Sequence, residues 1–189
     1  MGYSTVMTIA PMLTVIGALC IMEHFLGFDS VGYATRELFS CTVLYIFIFS
    51  LLTASPFNSV LSKYMSDIIY EETFEDILPC YYVGMILNIT FSALFGISFC
   101  IHEYLVGNVD IIYVFTGYCG FVALVLVFYS MLYLSICKDY KKISFFFMIG
   151  MTVTVLLSFL FVKVIHMSIT YGMLLALAIG FWLIACLEF

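Results

Sequence analysis

The sequence predicts an all-α protein that crosses a membrane with six helices. Three observations carry that reading. Of 189 residues, 65% are hydrophobic and 10% are charged, against about 25% charged in soluble domains. Six blocks carry no charge at all: 1–22, 38–62, 77–101, 111–137, 143–162 and 167–187. Each holds the roughly 20 predominantly apolar residues that a helix needs to cross the hydrocarbon. The short segments of alternating polarity that build membrane β-barrels are missing.

The first helix is expected over about 4–22. It lacks a basic leader and a small-residue cleavage site, so it reads as a membrane helix rather than a signal peptide. Pro11 lies in its middle, and a proline there removes an N–H and should kink or divide the helix. Thr5, Thr8, Pro11 and Thr14 recur every three residues and lie near one side. A broken, hydroxyl-lined helix is a feature of transporters, and packing against a neighbour is the equal alternative. Thr8, Pro11 and Thr14 are therefore candidates for a substrate pathway.

A loop from Glu23 to Glu37 leads to the second helix, expected over about 38–54. The next stretch, 56–76, is the longest patterned polar segment of the chain. After Pro56, apolar residues fall at 57, 60, 61, 64, 65, 68 and 69, and polar ones at 58, 59, 62, 63, 66 and 67. That is the period of an amphipathic helix, expected to prolong the second helix or to follow a kink at Pro56 and lie along the cytoplasmic surface. Lys63 and Asp67, four apart, can pair weakly on its polar face. Pro56, Asn58, Lys63, Tyr64 and Asp67 are its candidate docking residues; a solvated connecting helix is the plainer reading.

The third helix, about 80–101, carries Cys80, Gly84, Asn88, Ser92, Gly96 and Cys100, each four residues apart. Small residues in such a row allow close helix approach, with Asn88 hydrogen-bonding across the contact. Asn88 and Ser92 are also pathway candidates, on the reading that they face a hydrated cavity. The fourth helix is expected over about 111–136 and the fifth over about 143–164, with Lys163 snorkelling to the interface. The sixth, about 167–187, repeats the small-residue row with Gly172, Ala176 and Gly180.

Lys63, Lys138, Lys141 and Lys142 fall on one side of this topology, and Arg36 and Lys163 on the other. The positive-inside bias then puts both termini in the cytoplasm. A net charge of −6 argues against a nucleic-acid or anionic-lipid surface. The seven cysteines show no C-x-x-C pair and no histidine at metal-ligand spacing, so no metal or cofactor is expected. No H-E-x-x-H, phosphate loop or activated Gly-x-Ser-x-Gly nucleophile is present. Catalysis is not expected.

The run Ser-Pro-Phe-Asn-Ser-Val-Leu-Ser-Lys-Tyr-Met-Ser-Asp-Ile-Ile-Tyr at 55–70, directly after a transmembrane helix, resembles the motif after the second helix of the PelG family. These are polytopic inner-membrane transporters of Pel exopolysaccharide systems. Gly2-Tyr3-Ser4 with Pro11 resembles that family's first helix. The resemblance is closest over 2–80 and departs at Lys63, where Arg is expected, and at Asn58, where Gln is expected. It implies one six-helix lobe of a flippase-like transporter, with both ends of the chain lying inside a longer protein. It further implies export of a hexosamine-rich polysaccharide chain, and as partners a cytosolic glycosyltransferase, other Pel membrane subunits and membrane lipid. Two alternatives remain at this point. One is a complete six-helix substrate-binding subunit of a vitamin transporter. The other is half of a MATE-like drug/cation antiporter, which should carry an intramembrane carboxylate.

Overall fold

The computed structural model describes residues 2–71, 77–107, 109–136 and 139–189, with side chains from residue 12 onward except that of Tyr140. Among these residues the chain is helical and has no strand. The helices are α1 (Gly2–Phe25), α2 (Tyr33–Tyr70), α3 (Ile77–Leu105), α4 (Ile111–Ile136), α5 (Tyr140–Phe159) and α6 (Ile169–Glu188). Five of the helical spans are long and apolar enough to cross a membrane, and α1 adds 24 residues without a charge until Glu23. The protein is a polytopic all-α membrane protein.

The connections follow from local chemistry. Gly27 takes φ 72°, a left-handed backbone that glycine adopts without Cβ strain, and a short 3-10 turn at Phe28–Ser30 follows. Arg36 opens α2 beside it, bonding Asp29 at 3.1 Å and lying 5.7 Å over the Phe28 ring. Beside the end of α1, where the Phe25 and Phe159 rings lie 6.3 Å apart, α5 loosens into a π-turn over Leu160–Val164, with the Ile165 amide bonding the Leu160 carbonyl at 3.1 Å. Lys163 lies in this turn, near the end of its span.

α4 and α6 form the centre, and their inward faces are the most buried of the chain. On one side α2 and α3 pack against α4; on the other α5 packs against α6, and α1 against α5. Small residues set the close approaches. Gly120 of α4 faces Ala178 of α6, and Gly172 of α6 faces Phe161 and Val162. On α3, Gly84 lies under the Tyr129 hydroxyl and Gly96 under the Tyr118 ring, so any side chain at either would displace the ring. Lipid tails are as apolar as leucine, so tight van der Waals contact is what holds such helices together.

Helix α2 is the longest element, 38 residues with Pro56 inside it, or about 57 Å at 1.5 Å per residue. The stretch after Pro56 does not turn away along a surface. It continues α2 and docks on the ends of α3 and α4, burying Leu61, Met65 and Ile68, with Leu61 and Met65 clustered against Tyr81 and Tyr129. That burial supplies the reason for the helix to run on. Tyr129 donates to the Tyr81 carbonyl at 2.9 Å, Tyr81 and Ser130 share a hydrogen bond at 3.1 Å, and the two tyrosine rings stack at 5.3 Å. Residues 72–76 of the expected amphipathic segment lie outside the described residues.

Candidate functional site

A cavity of about 640 Å³ lies between α2, α3 and α4, within the range of ligand sites. Its walls are aromatic. From α3 come Phe91, Phe95 and Phe99, one turn apart and therefore on one face. Tyr45 and Phe49 of α2 face them, with Phe99 6.2 Å from the Tyr45 ring and 5.5 Å from the Phe49 ring. The floor is α4, which brings Tyr113, Tyr118 and Phe121, with Gly117 between them.

Few polar groups reach this crevice, and several are already engaged. Thr42 donates to the Leu38 carbonyl at 2.7 Å and accepts from the Tyr113 hydroxyl at 3.5 Å. Ser98 donates to the Leu94 carbonyl at 2.9 Å. Glu103 sits at one end, 3.5 Å from His102. Leu52, Thr53 and Pro56 close the opposite end on α2. Pro56 has no N–H, so the carbonyl of Leu52, four residues earlier, loses its helical donor.

Two buried amides of α2 and α3 lie outside the residues that line the crevice. Asn88 is fully buried on α3, and neither its Nδ2 nor its Oδ1 has a hydrogen-bond partner among the described residues. Asn58 of α2 reaches the Phe128 carbonyl of α4 through Nδ2 at 3.4 Å, while its Oδ1 is buried and unpartnered. Ser92, one turn from Asn88, is also fully buried but bonds its own helix at the Ile89 carbonyl, 2.9 Å away.

The residues singled out in the sequence therefore divide. Asn88 and Ser92 share the face of α3 that meets α4. Thr8, Pro11 and Thr14 belong to α1, which packs on α5 at the far side of the molecule; the two groups do not converge on one site. α1 carries through Pro11 as a helix, and the side chains of Thr8 and Pro11 lie outside the described ones. The docking set also divides. Pro56 lines the crevice and Asn58 turns inward, whereas Lys63, Tyr64 and Asp67 are exposed on the lower part of α2. Lys63 and Asp67 form no ion pair; those among the described residues are Arg36–Asp29, His102–Glu103 and Lys142–Asp139.

The aromatic row of α3 was not singled out in the sequence, although its spacing of four was visible there. Among the described residues no group of three or more His, Cys, Asp or Glu side chains could hold a metal ion. The family model described as "PelG: Putative exopolysaccharide Exporter (EPS-E)" matches residues 1–189. No curated protein and no solved structure matches the chain.

Proposed function

The chain belongs to the PelG family, whose members are exopolysaccharide exporters, over all of residues 1–189, and from that premise we propose that the exported polymer moves along the crevice between α2, α3 and α4. The observation that carries this reading is the aromatic lining. A saccharide ring has C–H faces that pack on the electron-rich faces of aromatic rings. Such contacts have no fixed hydrogen-bond geometry, so a chain can advance over them without breaking a strong bond at each step. Phe91, Phe95 and Phe99 repeat every turn, about 6 Å of helix rise, and offer a succession of equivalent surfaces.

The test is the double substitution Phe95→Ala and Phe99→Ala in cells that make the polysaccharide. Extracellular polymer should fall sharply while the protein's amount in the membrane is unchanged. Undiminished export would overturn the reading. The scarcity of free polar groups favours one other occupant, a lipid acyl chain. In that case the double variant would change co-purified lipid and leave export intact.

The polymer is hexosamine-rich on this proposal, and the membrane is the cytoplasmic one, with both termini on the cytoplasmic side. The support is the lysine distribution: α2 and α4 run parallel, so Lys63, Lys141 and Lys142 fall toward one face. The exposed lower part of α2, with Lys63, Tyr64 and Asp67, docks a cytosolic glycosyltransferase and neighbouring membrane subunits of the same export system. Co-purification of the glycosyltransferase should be lost when Lys63 and Asp67 are both changed to Ala.

A further inference from the structure

We infer that the Glu103 carboxylate binds the polymer where it leaves the crevice, accepting hydrogen bonds from the hydroxyl groups of a saccharide unit as that unit passes off the aromatic row of α3. This rests on the crevice being the polymer's path. Phe91, Phe95, Phe99 and Glu103 follow one another at a spacing of four, and all four line the crevice. One face of one helix therefore carries three rings and then an acid. Leu38 and Tyr113, from the first two turns of α2 and α4, line the same end. On the proposed topology that end lies toward the outer surface, where an exported chain emerges.

Glu103 is the only Asp, Glu, Lys or Arg among the described residues that line the crevice. It also stands in the last turn of α3, where the carbonyl end of the helix repels a carboxylate. The helix gains nothing from an acid there. The carboxylate is largely uncommitted: His102 Nδ1 is its ion-pair partner among the described residues, and at 3.5 Å from Oε1 it is too far for a strong hydrogen bond. Gly107 leaves room beside the other oxygen, since a β-carbon there would lie 2.9 Å from Oε2. The Glu103 side chain keeps 32% of its surface exposed, so a chain in the crevice can reach it.

The chemistry of the row then identifies the ligand. A carboxylate has two acceptor oxygens and no donor, so it meets donors. The hydroxyls of a pyranose are donors, and they project from the edge of a ring whose faces pack on Phe95 and Phe99. Neighbouring hydroxyls can each take one oxygen of the same carboxylate. An acyl chain has no donor to offer. An ammonium group has donors but is held by charge, and the amide isostere Glu103→Gln tells the two apart because it keeps an acceptor oxygen and loses the charge.

The experiment compares Glu103→Leu and Glu103→Gln in cells that make the polysaccharide. Extracellular polymer, the protein's amount in the membrane and its melting temperature in detergent are all measured. Glu103→Leu should lower export about tenfold, the scale of one lost hydrogen bond to a charged group, at an unchanged or higher melting temperature. Glu103→Gln should lower it only about threefold, because its amide oxygen still accepts and a neutral hydrogen bond is roughly half as strong as a charge-assisted one. Equal loss in the two variants overturns hydroxyl recognition and points to an ammonium ligand. Export at the wild-type level in Glu103→Leu overturns the inference, and so does a lowered melting temperature in Glu103→Gln, which would make the carboxylate part of the fold. The Phe95→Ala, Phe99→Ala double variant separates this inference from the reading beneath it. Export lost there but intact in Glu103→Leu overturns the role of Glu103 alone; export intact in both overturns the path as well.

Discussion

Gly150 of α5 and Gly180 of α6 face each other so closely that a β-carbon on either would lie 3.4 Å from the other's carbonyl oxygen. The Thr154 hydroxyl, which bonds the Gly150 carbonyl at 2.9 Å, fills the space directly over Gly180. Thr154 is β-branched and fully buried, so it cannot swing aside as a long flexible chain could. Gly180→Ala should therefore force α5 and α6 apart and cost about 1–3 kcal/mol, the usual range for overpacking. Thermal unfolding in detergent measures this, and Thr154→Ala in the same protein should recover part of the loss.

Tyr129 joins three helices at one point. It is fully buried, bonds the Tyr81 carbonyl, and clusters with Leu61 and Met65 of α2. Tyr129→Phe keeps the ring and should cost about 0.5–1.5 kcal/mol for the lost hydrogen bond. Tyr129→Ala empties the site and should cost about 3–5 kcal/mol. The second variant should also expose the lower part of α2 to protease, a readout that Tyr129→Phe leaves unchanged.

Pro56→Ala returns an N–H to α2. Proline in a helix interior is disfavoured by about 3 kcal/mol relative to alanine, so the variant should melt at a higher temperature. The Leu52 carbonyl would then have a donor within the helix, and the proline ring at the end of the crevice would be gone. Export should fall in the same variant, and a secretion assay beside a thermal melt shows whether the two quantities move in opposite directions.

Lys63 and Asp67 are exposed and unpaired with each other, so replacing both by Ala should change stability by no more than about 0.5 kcal/mol. Leu61→Ala, two residues before Lys63 and on the buried side, should cost about 2–5 kcal/mol. Comparing the two variants separates loss of a docking surface from loss of the helix that presents it. Only the first should abolish glycosyltransferase co-purification while leaving the melting temperature intact.

The helices were legible because hydropathy is a property of each block by itself. The row Gly84, Asn88, Ser92 and Gly96 was legible for the same reason, and it meets α4 where small residues permit contact. Asn58 was not. The helical wheel of 56–70 puts it with Ser59, Ser62 and Lys63 on the polar face, and nothing local reveals that α4 passes within reach of its amide. Whether α2 would run on past Pro56 or kink there stayed open, because Tyr81 and Tyr129, which hold it, lie far along the chain. Thr14 and Asn88 stand apart because α1 packs on α5 while α3 packs on α4.

The 38-residue span of α2 has a mechanical consequence. About 21 Å of helix extend from Pro56 to Tyr70, and about 17 Å from Pro56 back to Tyr45. These are two arms of one lever with its fulcrum at the proline. A sideways push on the tip that carries Lys63 and Asp67 reaches Tyr45 and Phe49 at the crevice wall through a single rod, with no loop to dissipate it. How stiff the helix is at Pro56 sets what fraction of that push arrives.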